Sequence, residues 1–410
     1  MLKFIPVTIL LFLSATPSVG QEASSGIGVP VTVTGDALYS GRLQLQDPTQ
    51  WPVTGGVRAV LYPTLQLGSH WFGYAAVQVR YAPNFYYDAY DPGHELYTDI
   101  LQAFGGYSFR AKEMTVVVKA GRLLPAFGSF PLRYDDAENP LLDQPLSYIQ
   151  TLTLRADQLP CGTNDLAHQY YGSVWHQCGG APNPNDGLTP VALYGLPAAQ
   201  IDISGHRLDA RLQVSSGSPS NPRRLYEFGR YHQWSAGGGY TIRQGFRVGI
   251  SGFRGPYLDG SLASVLPAGT NVRSFPASGI GVDVQWARGR WSMNGEWQKF
   301  RFVSPNFAIS PSVQSSYLEI KTRLTPRLFV AGRPAWLIPG GVLDKAGVST
   351  ARYAPAISSY ELGAGWWLNR HQLLKASYEW FNIEHRTGTQ LNVAGVQFVT
   401  TFNRLNWAFR

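Results

Sequence analysis

The connections between the apolar segments of this chain alternate between long and very short, and that rhythm constrains the fold more than any single residue. From Val31 to the C-terminus, about sixteen strand-like stretches of the length a tilted membrane strand needs follow one another. Clipped turns such as Gly68-Ser69-His70, Arg110–Glu113, Arg243–Gly245 and Ala287–Arg290 come after the even stretches. Longer connections follow the odd ones, and the longest spans Leu123–Leu188. An antiparallel transmembrane β-barrel has this punctuation because its hairpins end in short turns on one side of the membrane and in larger loops on the other.

Many stretches also alternate with period 2. Val77, Val79 and Tyr81 flank Gln78 and Arg80; Leu101, Ala103, Tyr107 and Phe109 flank Gln102, Ser108 and Arg110. Ile201 and Ile203 oppose Gln200 and Asp202, and Val282, Val284 and Trp286 oppose Asp283 and Gln285. Leu318, Ile320, Thr322 and Leu324 oppose Tyr317, Glu319, Lys321 and Arg323, while Asp209 and Arg211 form the polar set of their own strand. Backbone groups in lipid must all be paired, so such strands close into a ring and turn their polar set inward. A soluble sandwich alternates too, with its apolar set inside. Trp286, Trp291, Trp366, Trp367, Trp380 and Trp407 near strand ends suit interfacial girdles. Two stretches break phase: Glu296 and Gln298 against Lys299 and Arg301, and Glu379 against Asn382 and Glu384. Bulges are expected there.

The N-terminus reads as a secretory signal over residues 1–20. Lys3 is the basic n-region, Phe4–Leu13 the apolar region, and Ser18-Val19-Gly20 the small residues before cleavage at Gln21. Residues 21–410 then form one barrel domain, with no interdomain linker. Charged residues make up only 15% of the chain, below the roughly 25% of soluble domains, as a lipid-facing wall requires. The net charge of +8 is scattered and the chain is exported, which excludes nucleic acid as a partner. The excess base points to a pore lining or to anionic lipid headgroups. Cys161 and Cys178 are the only cysteines. In an oxidising compartment they read as a disulfide closing about 18 residues, worth roughly 3 kcal/mol, and not as a zinc site with His168 and His176.

Lys119–Phe130, KAGRLLPAFGSF, resembles a stretch of bacterial outer-membrane porins of the phosphate-selective type. Phe402–Arg410, FNRLNWAFR, resembles the terminal signal read by the barrel assembly machinery, except that Arg410 follows the final aromatic. The runs of basic residues that would make a phosphate ladder are missing, so phosphate selectivity is not implied. In sixteen-stranded porins the loop after the fifth strand folds inward and narrows the channel. The resemblance therefore implies the same of Leu123–Leu188, whose Arg133, Asp135, Asp136 and Glu138 become constriction candidates together with Arg122 at the strand end beside it.

Further pore-lining candidates are Arg80, Arg211, Asp283, Glu319, Lys321 and Arg323. The expected function is passive diffusion of small hydrophilic solutes or ions across the outer membrane, with a mild anion preference. A substrate-specific transporter for hydrophobic solutes, or a structural or adhesive barrel, stays open beside it. Outer-membrane lipid, the assembly machinery and a homotrimer are the compatible partners. No cofactor, metal or catalytic residue is expected. There is no G-x-S-x-G or H-E-x-x-H, His94-Glu95 lacks a second His, and the adjacent acids Asp135 and Asp136 point different ways.

Overall fold

A computed structural model of the chain describes residues 26–40, 51–81, 96–130, 135–150, 152–170, 188–191, 195–218, 220, 232–384 and 392–407. Sixteen antiparallel strands form a closed barrel. In chain order they are β1 (Gly26–Ser40), β2 (Val53–Leu61 continued by Thr64–Leu67), β3 (Trp71–Tyr81), β4 (Leu96–Ala111) and β5 (Met114–Leu123). There follow β6 (Leu196–Gly205), β7 (Leu208–Ser216), β8 (His232–Arg243), β9 (Phe246–Pro256), β10 (Pro276–Arg288) and β11 (Trp291–Phe302). The last are β12 (Ser312–Arg323), β13 (Leu328–Pro339), β14 (Ile357–Trp367), β15 (Gln372–Ile383) and β16 (Val393–Trp407). Each strand pairs with its neighbours in sequence, and β16 pairs back onto β1 from Ile27↔Trp407 to Ser40↔Val393. No edge is left open.

Short turns follow the even strands and long connections the odd ones, as the punctuation predicts. Gly245 and Gly289 take positive φ in two of the turns, the backbone state glycine reaches without strain. β2 breaks at Tyr62-Pro63 opposite Pro30, where the β1–β16 register also shifts. A proline cannot donate to the ladder, so strands tolerate it only at such irregularities.

The two faces of the wall have opposite chemistry. Ile250, Ile280, Val282, Leu362 and Val396 lie on the exposed outer face, at 67%, 56%, 50%, 57% and 49% accessibility. On the other face Gln78, Gln213, Glu319, Glu361 and Lys375 are buried. That polarity is the inverse of a soluble sandwich and belongs in lipid.

The strands with mixed charge stay in phase, contrary to expectation. The β11 and β15 registers run without a shift. Glu296 and Gln298 point inward, while Lys299 and Arg301 lie exposed on the outer face near the strand's end. Glu379 is inward and Asn382 outward on β15. A bulge occurs elsewhere, at Leu101 of β4 opposite Ala76 and Val77 of β3, and it turns Leu101 inside against Val60 and Ala76 instead of outward.

The inner loop and the candidate lumen

The described parts of the connection between β5 and β6 are tied to inward-facing wall residues at two places, residues 124–130 and 135–143. Near its start, Gln213 on β7 accepts from Ala126 N at 3.1 Å and donates to Leu124 O at 2.9 Å. The Ser251 hydroxyl on β9 accepts from Gly128 N. Glu296 on β11 then accepts from Ser129 N, Ser129 Oγ and Phe130 N at 3.0, 2.7 and 2.7 Å. Its carboxylate also takes the Tyr148 hydroxyl at 2.6 Å, the Tyr317 hydroxyl at 2.9 Å and Gln298 Nε2 at 2.6 Å. A carboxylate facing several fixed donors is a strong anchor.

The loop's far side is held by a cation. Lys375 Nζ on β15 donates to the carbonyls of Asp136, Asn139 and Leu141 at 2.8, 3.1 and 3.2 Å. Glu361 on β14 accepts from Leu142 N and Asp143 N. Asp136 takes the Thr34 hydroxyl at 2.7 Å and pairs with the buried Arg58 guanidinium. These contacts reach β1, β2, β7, β9, β11, β14 and β15, on opposite sides of the ring.

Between the anchors lies an apolar cluster at the long-loop end. Phe127, Phe130, Tyr148 of α1 (Leu146–Ile149), Leu152 and Leu154 pack against inward Phe253, Phe300, Phe302, Tyr317 and Leu337. Arg333 is buried beneath the loop between Glu319 and Glu361, with Nη2 2.6 Å from the latter. Burial, together with Glu379 and Glu361, pushes the loop's Asp143 carboxyl well above the ordinary aspartate range.

Across the ring, charges stay in contact with water. Asp209, Gly239, Gly249 and Asp283 stand in one row across β7, β8, β9 and β10. The Arg247 guanidinium lies flat over the two glycines, binding Asp209 through Nε and Nη2 at 2.8 and 2.7 Å and Asp283 through Nη1 at 2.6 Å. A Cβ on either glycine would overlap that guanidinium. Beside them Lys119 meets Asp202 at 2.5 Å, and Arg211 donates to Gly128 O of the loop. Lys119 and Asp209 keep 24% and 29% side-chain accessibility, against 2% or less for Arg333, Glu319 and Glu361.

Of the sequence candidates, Arg80, Arg211, Asp283, Glu319 and Lys321 face inward, as do Gln102, Gln200, Asp202, Asp209 and Gln285. Lys321 stacks its ammonium 4.2 Å from the Phe329 ring centre. Arg323 sits exposed at the short-turn rim, bonded to Gly289 O. Arg122 departs from expectation. It pairs with Ala103 and shares the outer parity of Val118, and its Nε donates to Gly195 O at the strand's end. Asp135 accepts from Thr32, Tyr62 and Ala137, whereas Glu138 is exposed. Arg133 and His94-Glu95 lie outside the described residues, as do residues 1–25. Cys161 is disulfide-bonded, and Cys178 too lies outside them.

Sequence reasoning missed Arg58, Arg247, Arg333, Glu361 and Lys375. Each stands on the inward parity of its strand, so completing the alternation on every strand would have found them. Among the described residues no group of three or more His, Cys, Asp or Glu side chains is placed to hold a metal.

No protein-family profile and no curated sequence matches the chain. Solved structures do. An anion-selective porin from Comamonas acidovorans aligns over 92% of this chain and 100% of its own, with a TM-score of 0.53 at 12% identity. The outer-membrane channel DcaP of Acinetobacter baumannii aligns over 93% and 99%, with a TM-score of 0.52 at 9% identity. The trimer form of the outer-membrane protein OmpT of Vibrio cholerae aligns over 92% and 100%, with a TM-score of 0.52 at 9% identity. The fold is that of the outer-membrane porins.

Proposed function

We propose that this barrel is an outer-membrane porin through which small hydrophilic solutes diffuse passively, along a passage narrowed by the loop between β5 and β6. The observation that carries the reading is a closed wall with its carboxylates inside and its apolar side chains outside. The barrel lies in the bacterial outer membrane, short turns toward the periplasm and long loops outside. Sixteen strands enclose more space than the wall's own side chains fill, and the loop reaches across part of it.

In this reading the passage follows β4–β10, where Lys119, Asp209 and Arg247 keep contact with water. Lys119, Arg211 and Arg247 there face Asp202, Asp209 and Asp283. Opposed signs set a transverse field that selects by size and dipole more than by net charge. A mild anion preference then rests on the overall charge, +8 for the full chain and +7 once Lys3 leaves with the signal segment. A homotrimer is proposed by analogy with the trimeric Vibrio protein, and assembly through the C-terminal strand by the barrel machinery.

The apolar cluster under the long loops favours a second reading, a substrate-specific channel for apolar solutes. Planar-bilayer recording separates the two. A porin gives stable steps proportional to salt concentration. A substrate-specific channel gives small steps that one class of solute blocks at saturation. A folded barrel with no conductance overturns the porin, and reversal potentials favouring cations remove the anion preference.

A further inference from the structure

The outer face of the wall is nearly free of charge, and three of its exceptions stand together. Every carboxylate of the described wall strands, from Asp36 on β1 to Glu379 on β15, lies on the inward parity. On the outward parity at the long-loop end, Arg254 of β9 and Lys299 and Arg301 of β11 stand exposed. The register gathers them. Arg254 pairs with Ser278 of β10, Ser278 pairs with Arg301, and Lys299 pairs with Ile280 in the adjacent row. Strand spacing and rise put the Cα atoms of the three cations within about 12 Å of one another. None has an ion-pair partner among the described residues.

Aromatic rings lie at and just below the cations. Trp234 pairs with Arg254 across β8–β9 and is 57% exposed, and Trp297, two residues before Lys299, is 40% exposed. Tryptophans mark the membrane–water boundary, so the cations stand at headgroup level in the leaflet that the long loops face. An exposed cation there needs an anion, and the described residues of the outer face offer none; its neighbours across β10 and β12 are Ser278, Ile280, Ser312 and Gln314.

We propose that Arg254, Lys299 and Arg301 form a docking site for the phosphates of an outer-leaflet phosphoglycolipid. Ser278 and Gln314 supply neutral polar groups beside it, and Trp234 and Trp297 meet the start of its acyl chains. The site rests on the barrel's placement in the outer membrane and not on conduction, so it stands or falls separately from the porin reading.

The test uses the full mature barrel in neutral detergent, with bis-phosphorylated lipid A as the probe and native mass spectrometry as the readout. Wild-type protein is expected to retain it at least about tenfold more tightly than R254Q/K299Q/R301Q, each cation contributing to anionic-lipid affinity. Lipid A stripped of phosphate should bind both proteins equally and weakly. R243Q/R288Q, which removes two exposed bases at the short-turn end, should bind like wild type. Equal retention by wild type and the triple variant, with both barrels shown folded by heat-modifiable mobility, overturns the site. So does equal loss in R243Q/R288Q, which would reduce the effect to net charge.

Discussion

The Tyr148 hydroxyl donates to Glu296 Oε2 over 2.6 Å, tying the short helix of the inner loop to the middle of β11. The same carboxylate holds the loop's earlier turn through Ser129 and Phe130. One wall residue thus fixes two segments of the loop.

Replacing Glu296 with Ala should therefore free the loop without opening the barrel, whose strands are held by their own ladder. Several buried donors lose a charged acceptor, at roughly 1.5–3 kcal/mol each before relaxation. Larger and noisier single-channel steps from a barrel of unchanged heat-modifiable mobility are the expected outcome. Conductance identical to wild type would show that the loop does not narrow the passage.

Lys375→Met tests the other anchor. Three loop carbonyls lose one ammonium, so the segment Asp136–Leu141 should loosen between the contacts that Arg58 and Glu361 still make, while Glu296 still holds Ser129 and Phe130. Single-channel noise should rise. The docking losses of E296A and K375M should add within about 0.5 kcal/mol, since the anchors share no partner. Strong coupling in a double-mutant cycle would argue that the loop moves as one body.

Gly249→Ala addresses the water-facing charges. A methyl at Gly249 occupies the place of the Arg247 guanidinium and the Asp283 carboxylate. Overpacking of this kind costs about 1–3 kcal/mol. The displaced Arg247 leaves Asp209 and Asp283 unpaired beside the passage, so reversal potentials should move toward cations. An unchanged potential would place the conducting path elsewhere.

The fold was legible because a membrane wall writes itself locally: turn length, period and girdle are all sequence-near properties. Arg122 shows where that stops. Its position at a strand end beside the loop suggested a constriction, but parity counted from Val118 puts it on the outer face. Glu296 shows the opposite case. Lys299 and Arg301 made its strand look out of phase because outward positions near the headgroups tolerate charge. The loop's choice of Glu296, Glu361 and Lys375 as anchors could not be read at all. Inward residues of one strand look alike until something is known of what crosses the lumen.

Arginine at Ile250, which is 67% exposed on the outer wall, should cost roughly 2–4 kcal/mol if it stands near mid-membrane. Arginine at Gln285, inward and partly exposed, should cost much less. Gln78 is not a fair inward control, because it is fully buried beside Arg58. Equal penalties at 250 and 285 in folding titrations into lipid vesicles would invert the assignment of faces.

Asp344 lies in the long-loop region and receives the backbone amides of Thr163, at the start of α2 (Thr163–Tyr170), and of Val348. Those amides, Thr163's first, hold its carboxyl below the ordinary aspartate range. A depressed pKa means that the folded loop favours the ionised form. The contribution is fully present above the unfolded value of about 4 and is lost as pH falls through the lower folded value. Docking of α2 on this loop should hold from neutral pH to about pH 5 and weaken below about pH 4, while the barrel persists. Hydrogen exchange at Thr163–Leu166, corrected for intrinsic rates, should lose protection over that acid range. In Asp344→Asn the protection should be weaker at neutral pH and nearly independent of pH. Protection unchanged down to pH values well below the aspartate range, or an Asn variant with the same acid transition, would remove Asp344 as the group responsible.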